Sequence, residues 1–486
     1  MKIKFLWATD KVTGSKIYFE YNHKKILVDY GMEQEWENKA NMYKNNLKLQ
    51  FDPSEIDYIF LTHAHIDHSW LIPYLVKKGF NWKILMTEKT KDLLEPLWKD
   101  SSYIINKDWE YLIKKKWIKN LEVIYEEKDV KETLKKIITI DYKKPIYISK
   151  EWELIFDSKT ISRMEEKDKK DYFVFYNSGH IVGSASIVFN FTNKKKERKS
   201  LCFSWDVWRS DSPLLINWDS LNQLTDLVLE STYWNKYHEP LEKQILKFEK
   251  VLEKGLKRWK VIIPSFSLDR TQTLIYLLKQ IKEKGLIKDI PIYIDTPLWN
   301  KITKVYENSL EFFKNNIVHN ILENWWKLFS FDWLKEIEEK EDSIRIISSK
   351  KPCIIIAASG MAENWRIIFH LEEELKNPET TILFVWYTIP WSLWYKIRNY
   401  KDLNIKEVII NKKTEQIKAN IESISLSSHG DLKDLLKLVE NNKKLKKIIL
   451  NHGNYEAKVH FKELLENKYP KIEVIIAKSN FYYPFN

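Results

Sequence analysis

A chain of 486 residues with 80 Lys+Arg against 68 Asp+Glu carries a formal charge of +12, and it is long enough for two or three domains with separate cores. The charge suits a polyanionic partner, although stretches such as 161–171 mix lysine with glutamate as a solvated helix face does. Two cysteines, each inside an apolar run, exclude a disulfide scaffold, and no apolar stretch approaches a membrane span, so the expectation is a soluble cytoplasmic chain with no membrane partner.

Residues 1–30 read as short strands, Ile3–Leu6, Lys16–Glu20 and Lys25–Asp29, ended by Gly31. Asp29 closes an apolar strand, where a carboxylate is costly unless hydrogen-bonded, and it suits an outer partner of a nearby metal ligand. The apolar run Tyr58–Leu61 then leads into Thr62-His63-Ala64-His65-Ile66-Asp67-His68-Ser69. Three imidazoles and a carboxylate within six residues at a strand end suit metal. In an extended turn His63 and His65 point the same way and Asp67 and His68 follow as a second pair, so one loop can serve two adjacent ions. Imidazole nitrogen and carboxylate oxygen are ligands that zinc accepts, and the lack of thiolate argues against a closed structural site.

A helix is expected over Leu71–Lys78, a strand at Lys83–Thr87, charged helical sequence over 88–135, and strands again at Pro145–Ile148 and Tyr172–Phe175. His180 sits among small residues, Asn177 to Ala185, that let backbones approach closely, and Asp206 follows the strand Ser200–Ser204. Three later units pair a strand with a turn, Ile262–Ser267, Ile294–Pro297 and Ile354–Met361, and alternate with helical stretches as a parallel sheet requires. The third of these turns is Ser359-Gly360-Met361, and Arg270 and Arg366, each a few residues past such a turn, suit phosphate contact.

Taken together these motifs resemble the metallo-β-lactamase superfamily and, within it, the β-CASP nucleases of the polyadenylation-factor-like type. Ile26 to Met32 looks like the first motif, Thr62 to His68 the second, and His180 and Asp206 the third and fourth. Asp226 to Tyr233 resembles motif A, Ser428 to Asp431 motif B, and Asn451-His452-Gly453 motif C. The resemblance implies an α/β chain: an αββα sandwich in two parts, 1–212 and 401–486, with an inserted α/β β-CASP domain over 213–400. It implies two zinc ions, one on His63, His65 and His180, the other on Asp67, His68 and His452, with Asp206 between them. The implied activity is hydrolysis of RNA phosphodiesters, single-stranded RNA being the expected partner, by a two-metal hydroxide mechanism leaving a 5′-phosphate. Asp67 belongs to the catalytic set, and Glu230 supports His429, which serves as general acid beside the scissile phosphate. The resemblance also implies that the Ser359-Gly360-Met361 turn lies near the RNA backbone, where its exposed amides could take phosphate oxygens. A homodimer is compatible with the resemblance. The competing readings are a small-molecule hydrolase of glyoxalase or lactamase type, which would not need residues 213–400 or His429, and a DNA-directed relative of the Artemis type, which usually has valine where His452 stands.

The departures from that pattern are of one kind. The chain has 10 glycines and 21 tryptophans, where average glycine usage of about 7% would give roughly 34. Tryptophan stands where the family carries glycine at 7, 70, 82, 205, 208, 234, 259, 365, 386, 391 and 394. The expectation is a gene that uses UGA for glycine, translated with UGA as tryptophan; the Lys, Ile and Asn richness fits an AT-rich genome.

Overall fold

The computed structural model describes every residue except 35–38, 117–121, 150–152, 166–169, 205, 236, 288, 359–365, 386–387, 389–391 and 486. It forms two compact units: residues 1–210, 217–237 and 429–486 in one, and 211–216 and 238–428 in the other.

The first unit is built on two sheets. One has seven strands in the spatial order Tyr482–Pro484, Lys2–Trp7, Lys16–Tyr21, Lys24–Tyr30, Tyr58–Phe60, Lys83–Met86 and Ile137–Thr139. The other has eight, in the order Glu473–Ile476, Lys447–Asn451, Asp226–Glu230, Arg198–Phe203, Ala185–Thr192, Tyr172–Asn177, Ile146–Ile148 and Leu154–Ile155. Alternation along each strand decides the layering. Ile187, Phe189 and Phe191 pack with Ile17, Phe19, Val28 and Phe60 in a core drawn from both sheets. Val188, on the opposite face of the same strand, packs with Leu435, Leu436, Phe461 and Leu465 of the helices Leu432–Glu440 and Tyr455–Lys468. On the other side, the helix Glu88–Lys116 lies against the strand Ile137–Thr139 and the helix Glu127–Leu134. The result is a helix–sheet–sheet–helix sandwich. Three of its parallel strand pairs, Lys24–Tyr30 with Tyr58–Phe60, Arg198–Phe203 with Asp226–Glu230, and Asp226–Glu230 with Lys447–Asn451, release their loops at carboxyl ends, where open α/β sheets place ligands.

The second unit has one six-stranded parallel sheet in the order Leu334–Glu336, Ile292–Asp295, Ile354–Ala358, Val261–Ser265, Thr381–Phe384 and Asn420–Ser423. Here the bounds of 213–400 read in the sequence differ at both ends: 217–237, with the strand Asp226–Glu230, belongs to the first unit. The strand Asn420–Ser423 pairs in parallel with Thr381–Phe384, and Ile417 and Ala419 join the core of this unit, so 401–428 belongs with the inserted domain rather than with the completing part of the sandwich. Backbone pairing between strands distant in sequence carries no local signal. The buried Lys260 ammonium in this unit donates to Glu374 (2.7 Å) and to the carbonyls of Ile346 and Ile347 (3.2 and 2.7 Å), which satisfies a charge the core could not otherwise hold.

Candidate metal centre

The seven metal ligands expected from the sequence, with Glu230 and His429, all lie in the first unit. Contrary to the extended turn expected, the histidine loop is extended only as far as His65. Ile66–Ser69 turns as a short helix, with Ser69 Oγ donating to His65 O (2.9 Å), and this aims Asp67 and His68 at a second group of ligands while the His68 ring stays 4.1 Å from that of His63. The backbone of this turn lies hard against the preceding strand: a Cβ on Gly31 would fall 1.7 Å from Asp67 O, so only glycine fits there.

His65 Nδ1 lies 3.0 Å from His63 Nε2 and 3.0 Å from His180 Nε2. Asp206 Oδ2 lies 3.4 Å from His63 Nε2 and 3.3 Å from His180 Nε2. Tetrahedral zinc with bonds of about 2.0–2.1 Å sets its ligand atoms about 3.3–3.4 Å apart, so this quartet fits an ion. A second group adjoins it. Asp67 Oδ2 is 3.6 Å from His68 Nε2 and 3.8 Å from His452 Nε2, while Asp206 Oδ2 is also 3.7 Å from His68 Nε2 and its Oδ1 3.6 Å from His452 Nδ1. Asp206 therefore touches both groups, and its buried Oδ1 accepts no hydrogen bond among the described residues, as suits a carboxylate held for a cation. The donor chemistry, three imidazoles with a carboxylate and two with another, is what zinc takes.

Burial shapes the charges. It lowers the His63 imidazole and holds His180 well below its ordinary value, which favours the neutral ring that can offer a lone pair. At His68 burial acts in the same direction, but Asp67, Asp206 and Asp29 outweigh it and push the ring up to about 10. Burial would raise the Asp206 carboxyl; His429, His68 and His180 around it hold it well below the usual range instead.

Asp29, fully buried and in the left-handed region at φ 60°, faces His68 Nδ1 at 2.8 Å and accepts from Thr62 N (2.8 Å) and the Thr62 hydroxyl (2.9 Å). That hydroxyl in turn lies 3.0 Å from His63 Nδ1, so one carboxylate orients a ligand in each group. Sequence reasoning passed over Thr62; its place directly before the first histidine, at a strand end, was the available signal. Glu230 lies 3.5 Å from His429 Nδ1, but its shorter bond, 2.6 Å, is received from Val207 N, next to Asp206. Glu230, Asp206 and His452 also lie close enough to form a third candidate group. The Val207 bond and the His429 contact both engage Glu230 Oε1, which gives this carboxylate a supporting place instead. His429 is partly exposed, paired through backbone with Trp208 and fixed by Gly430 N donating to Val207 O (2.5 Å).

In the second unit, Arg366 donates to Asp295 Oδ1 (3.0 Å), Ser343 Oγ (2.7 Å) and Glu339 O (3.0 Å), so its guanidinium is engaged internally rather than presented to a phosphate. Arg270 is mostly buried beside Asp269 at 3.4 Å. Ser359 and Gly360 lie outside the described residues.

With this geometry in place, three family matches cover separate parts of the chain. The metallo-beta-lactamase superfamily matches residues 13–135, the Beta-Casp domain 271–397, and the Zn-dependent metallo-hydrolase RNA specificity domain, or RMMBL, 414–477. The chain carries metallo-β-lactamase, β-CASP and RMMBL domains. Among curated proteins it is 28% identical to Ribonuclease TTHA0252 of Thermus thermophilus, over 80% of this chain and 79% of that protein. It is 26% identical to an RNase J-like protein of Methanocaldococcus jannaschii, over 94% of each, and 26% identical to Transcription termination factor FttA of the same organism, over 97% of this chain and 70% of that protein. A solved structure from Enterococcus faecalis V583, described as a protein of unknown function, matches the fold with a TM-score of 0.54 at 12% identity over 99% of both chains. Among the described residues, no helix is long and apolar enough to cross a membrane.

Proposed function

We propose that this chain is a metal-dependent ribonuclease, a hydrolase of RNA phosphodiester bonds in RNA processing or decay, working on single-stranded RNA in the cytoplasm. The observation that carries this reading is Asp206 touching two ligand groups that stand beside a histidine outside both sets, His429. The two relatives whose names denote RNases and the RNA specificity domain supply the substrate class. His63, His65, His180 and Asp206 would hold one zinc ion, and Asp67, His68, His452 and Asp206 the other. Two such ions supply Lewis acidity toward a phosphodiester and make water a nucleophile near neutral pH. The chain's own residues do the rest. Asp29 and Thr62 hold the tautomers of His68 and His63, Glu230 fixes the backbone beside Asp206, and His429 gives a proton to the leaving oxygen. Identity does not separate subtypes, since the RNase J-like relative and FttA are equally similar. The polyadenylation-factor-like subtype rests on the patterns at 62–69 and 204–209.

Metal analysis of the purified protein tests the binuclear assignment: two zinc ions per chain are expected, and one or none in a folded, active sample overturns it. Binding of single-stranded RNA is expected to weaken with salt at a slope of about −0.7 per phosphate contact, and salt-independent binding would point to a small substrate.

The same reading includes glycine recoding. Support comes from backbone conformation and burial. Trp325 at φ 50°, just past the helix Asn315–Glu323, and Trp333 at φ 73° occupy the left-handed region that glycine favours. The buried indole N–H of Trp234 has no hydrogen-bond partner among the described residues. Trp7, Trp70, Trp82, Trp208 and Trp394 are not among the positive-φ residues, Trp259 is extended at φ −164°, and Trp205, Trp365, Trp386 and Trp391 lie outside the described residues. Reading the codons decides the matter: UGA is expected at these tryptophans, and UGG would end the idea.

A further inference from the structure

The turn that presents His180 is soft by composition and is held from outside. It lies between the strands Tyr172–Asn177 and Ala185–Thr192, and both Gly179 (φ 70°) and Gly183 (φ 84°) are left-handed, so its own sequence permits many conformations. Within it, Ser184 Oγ accepts from His180 N and Ile181 N (3.1 Å each), which closes the turn on itself. That closure does not set where the turn sits relative to His63 and His65. Two sets of contacts do. Ala185 N donates to Thr62 O (2.8 Å), and Gly183 O receives the hydroxyls of Thr87 (2.6 Å) and Thr90 (2.9 Å).

Thr87 and Thr90 are buried, 2% and 0% exposed, at the start of the helix Glu88–Lys116. Thr87 Oγ1 also accepts from Thr90 N (3.3 Å), in the manner of a helix cap, so the hydroxyls are anchored on a long rigid element. A Cβ on Gly183 would fall 2.5 Å from Thr90 N, which leaves no slack between the helix end and the turn. Both lone pairs of the Gly183 carbonyl are thereby engaged by a helix that contributes no ligand.

We propose that Thr87 and Thr90 are positioning residues for His180: by clamping Gly183 O they fix how far His180 Nε2 reaches toward His65, and so set the affinity of the His63–His65–His180–Asp206 group for its ion without touching it. The inference rests on the proposed reading of that group as a metal site. A ligand held to a fraction of an ångström needs such support, and loss of an outer partner typically costs about 10–100-fold in metal affinity.

The test is zinc competition against a chromophoric chelator, with the two binding events resolved and melting followed in parallel. The protein carrying Thr87→Val and Thr90→Val is expected to lose about 10–100-fold in affinity at one of its two ions and to keep the other within about threefold, while Thr87→Ser with Thr90→Ser restores the lost affinity. If the double valine variant does not fold, Thr90→Val alone carries the same readings. Unchanged affinity, equal weakening at both ions, or no rescue by serine overturns the clamp. A wild-type chain that binds no zinc fails earlier and overturns the metal reading itself.

Discussion

Asp206→Ala is expected to abolish RNA hydrolysis and to strip or weaken both ions, the largest effect of any single substitution in the chain. Its two oxygens are the contacts shared between the groups, 3.3 Å from His180, 3.7 Å from His68 and 3.6 Å from His452. Losing an outer partner of a metal ligand costs about 10–100-fold, and a carboxylate that touches both groups should cost well beyond that. The sandwich should survive. Asp206 stands in a loop after the strand Arg198–Phe203, and the core between the sheets does not include it. Asp67→Ala makes the control, because Asp67 touches only His68 and His452 among the ligand contacts described and should weaken the second ion alone while still abolishing turnover. Metal content and circular dichroism on the two variants check this directly. Two ions retained by the Asp206 variant would remove it from the shared position.

His429→Ala is expected to cut cleavage of single-stranded RNA by about 10²–10⁴-fold, the usual cost of losing a positioned general acid. Zinc content should not change, since His429 belongs to neither ligand group. The substrate decides what the loss means. An alkoxide leaving from RNA needs a proton, whereas the nitrophenolate leaving from bis(nitrophenyl) phosphate does not, so hydrolysis of the latter should be largely spared. Equal loss on both substrates would give His429 a role in holding the site instead of donating a proton, and undamaged RNA cleavage would take it out of the mechanism. Glu230→Gln should be milder on His429, 3.5 Å away, than on the Asp206 loop, where Glu230 accepts the Val207 N–H at 2.6 Å. The same pair of assays on the wild-type chain separates a nuclease from a lactamase-like or glyoxalase-like hydrolase, which should ignore RNA.

Local spacing by itself determined that a strand ends in a metal-suited loop, because His63, His65, Asp67 and His68 are neighbours in the chain whatever the fold around them. The apolar residues in stretches such as 16–20 and 172–175 likewise marked strands, and both stretches are strands in the structure. Tertiary structure alone decided the rest. His180, Asp206 and His452 reach the loop because the strands that lead to them, Tyr172–Asn177, Arg198–Phe203 and Lys447–Asn451, lie in one sheet and the strand that leads to the loop, Tyr58–Phe60, lies in the sheet packed against it, and both strand pairing and sheet packing are long-range choices that no local pattern encodes. The short helix at Ile66–Ser69 that aims Asp67 and His68 at the second ligand group is fixed by its packing against Gly31, and the inward turn of Arg366 by the buried Asp295 it meets. The place of 401–428 was settled by one added edge strand, Asn420–Ser423. Spacing assembles ligands that are neighbours in the chain; only strand pairing within each sheet and the packing of one sheet on the other could bring the others within 4 Å of them.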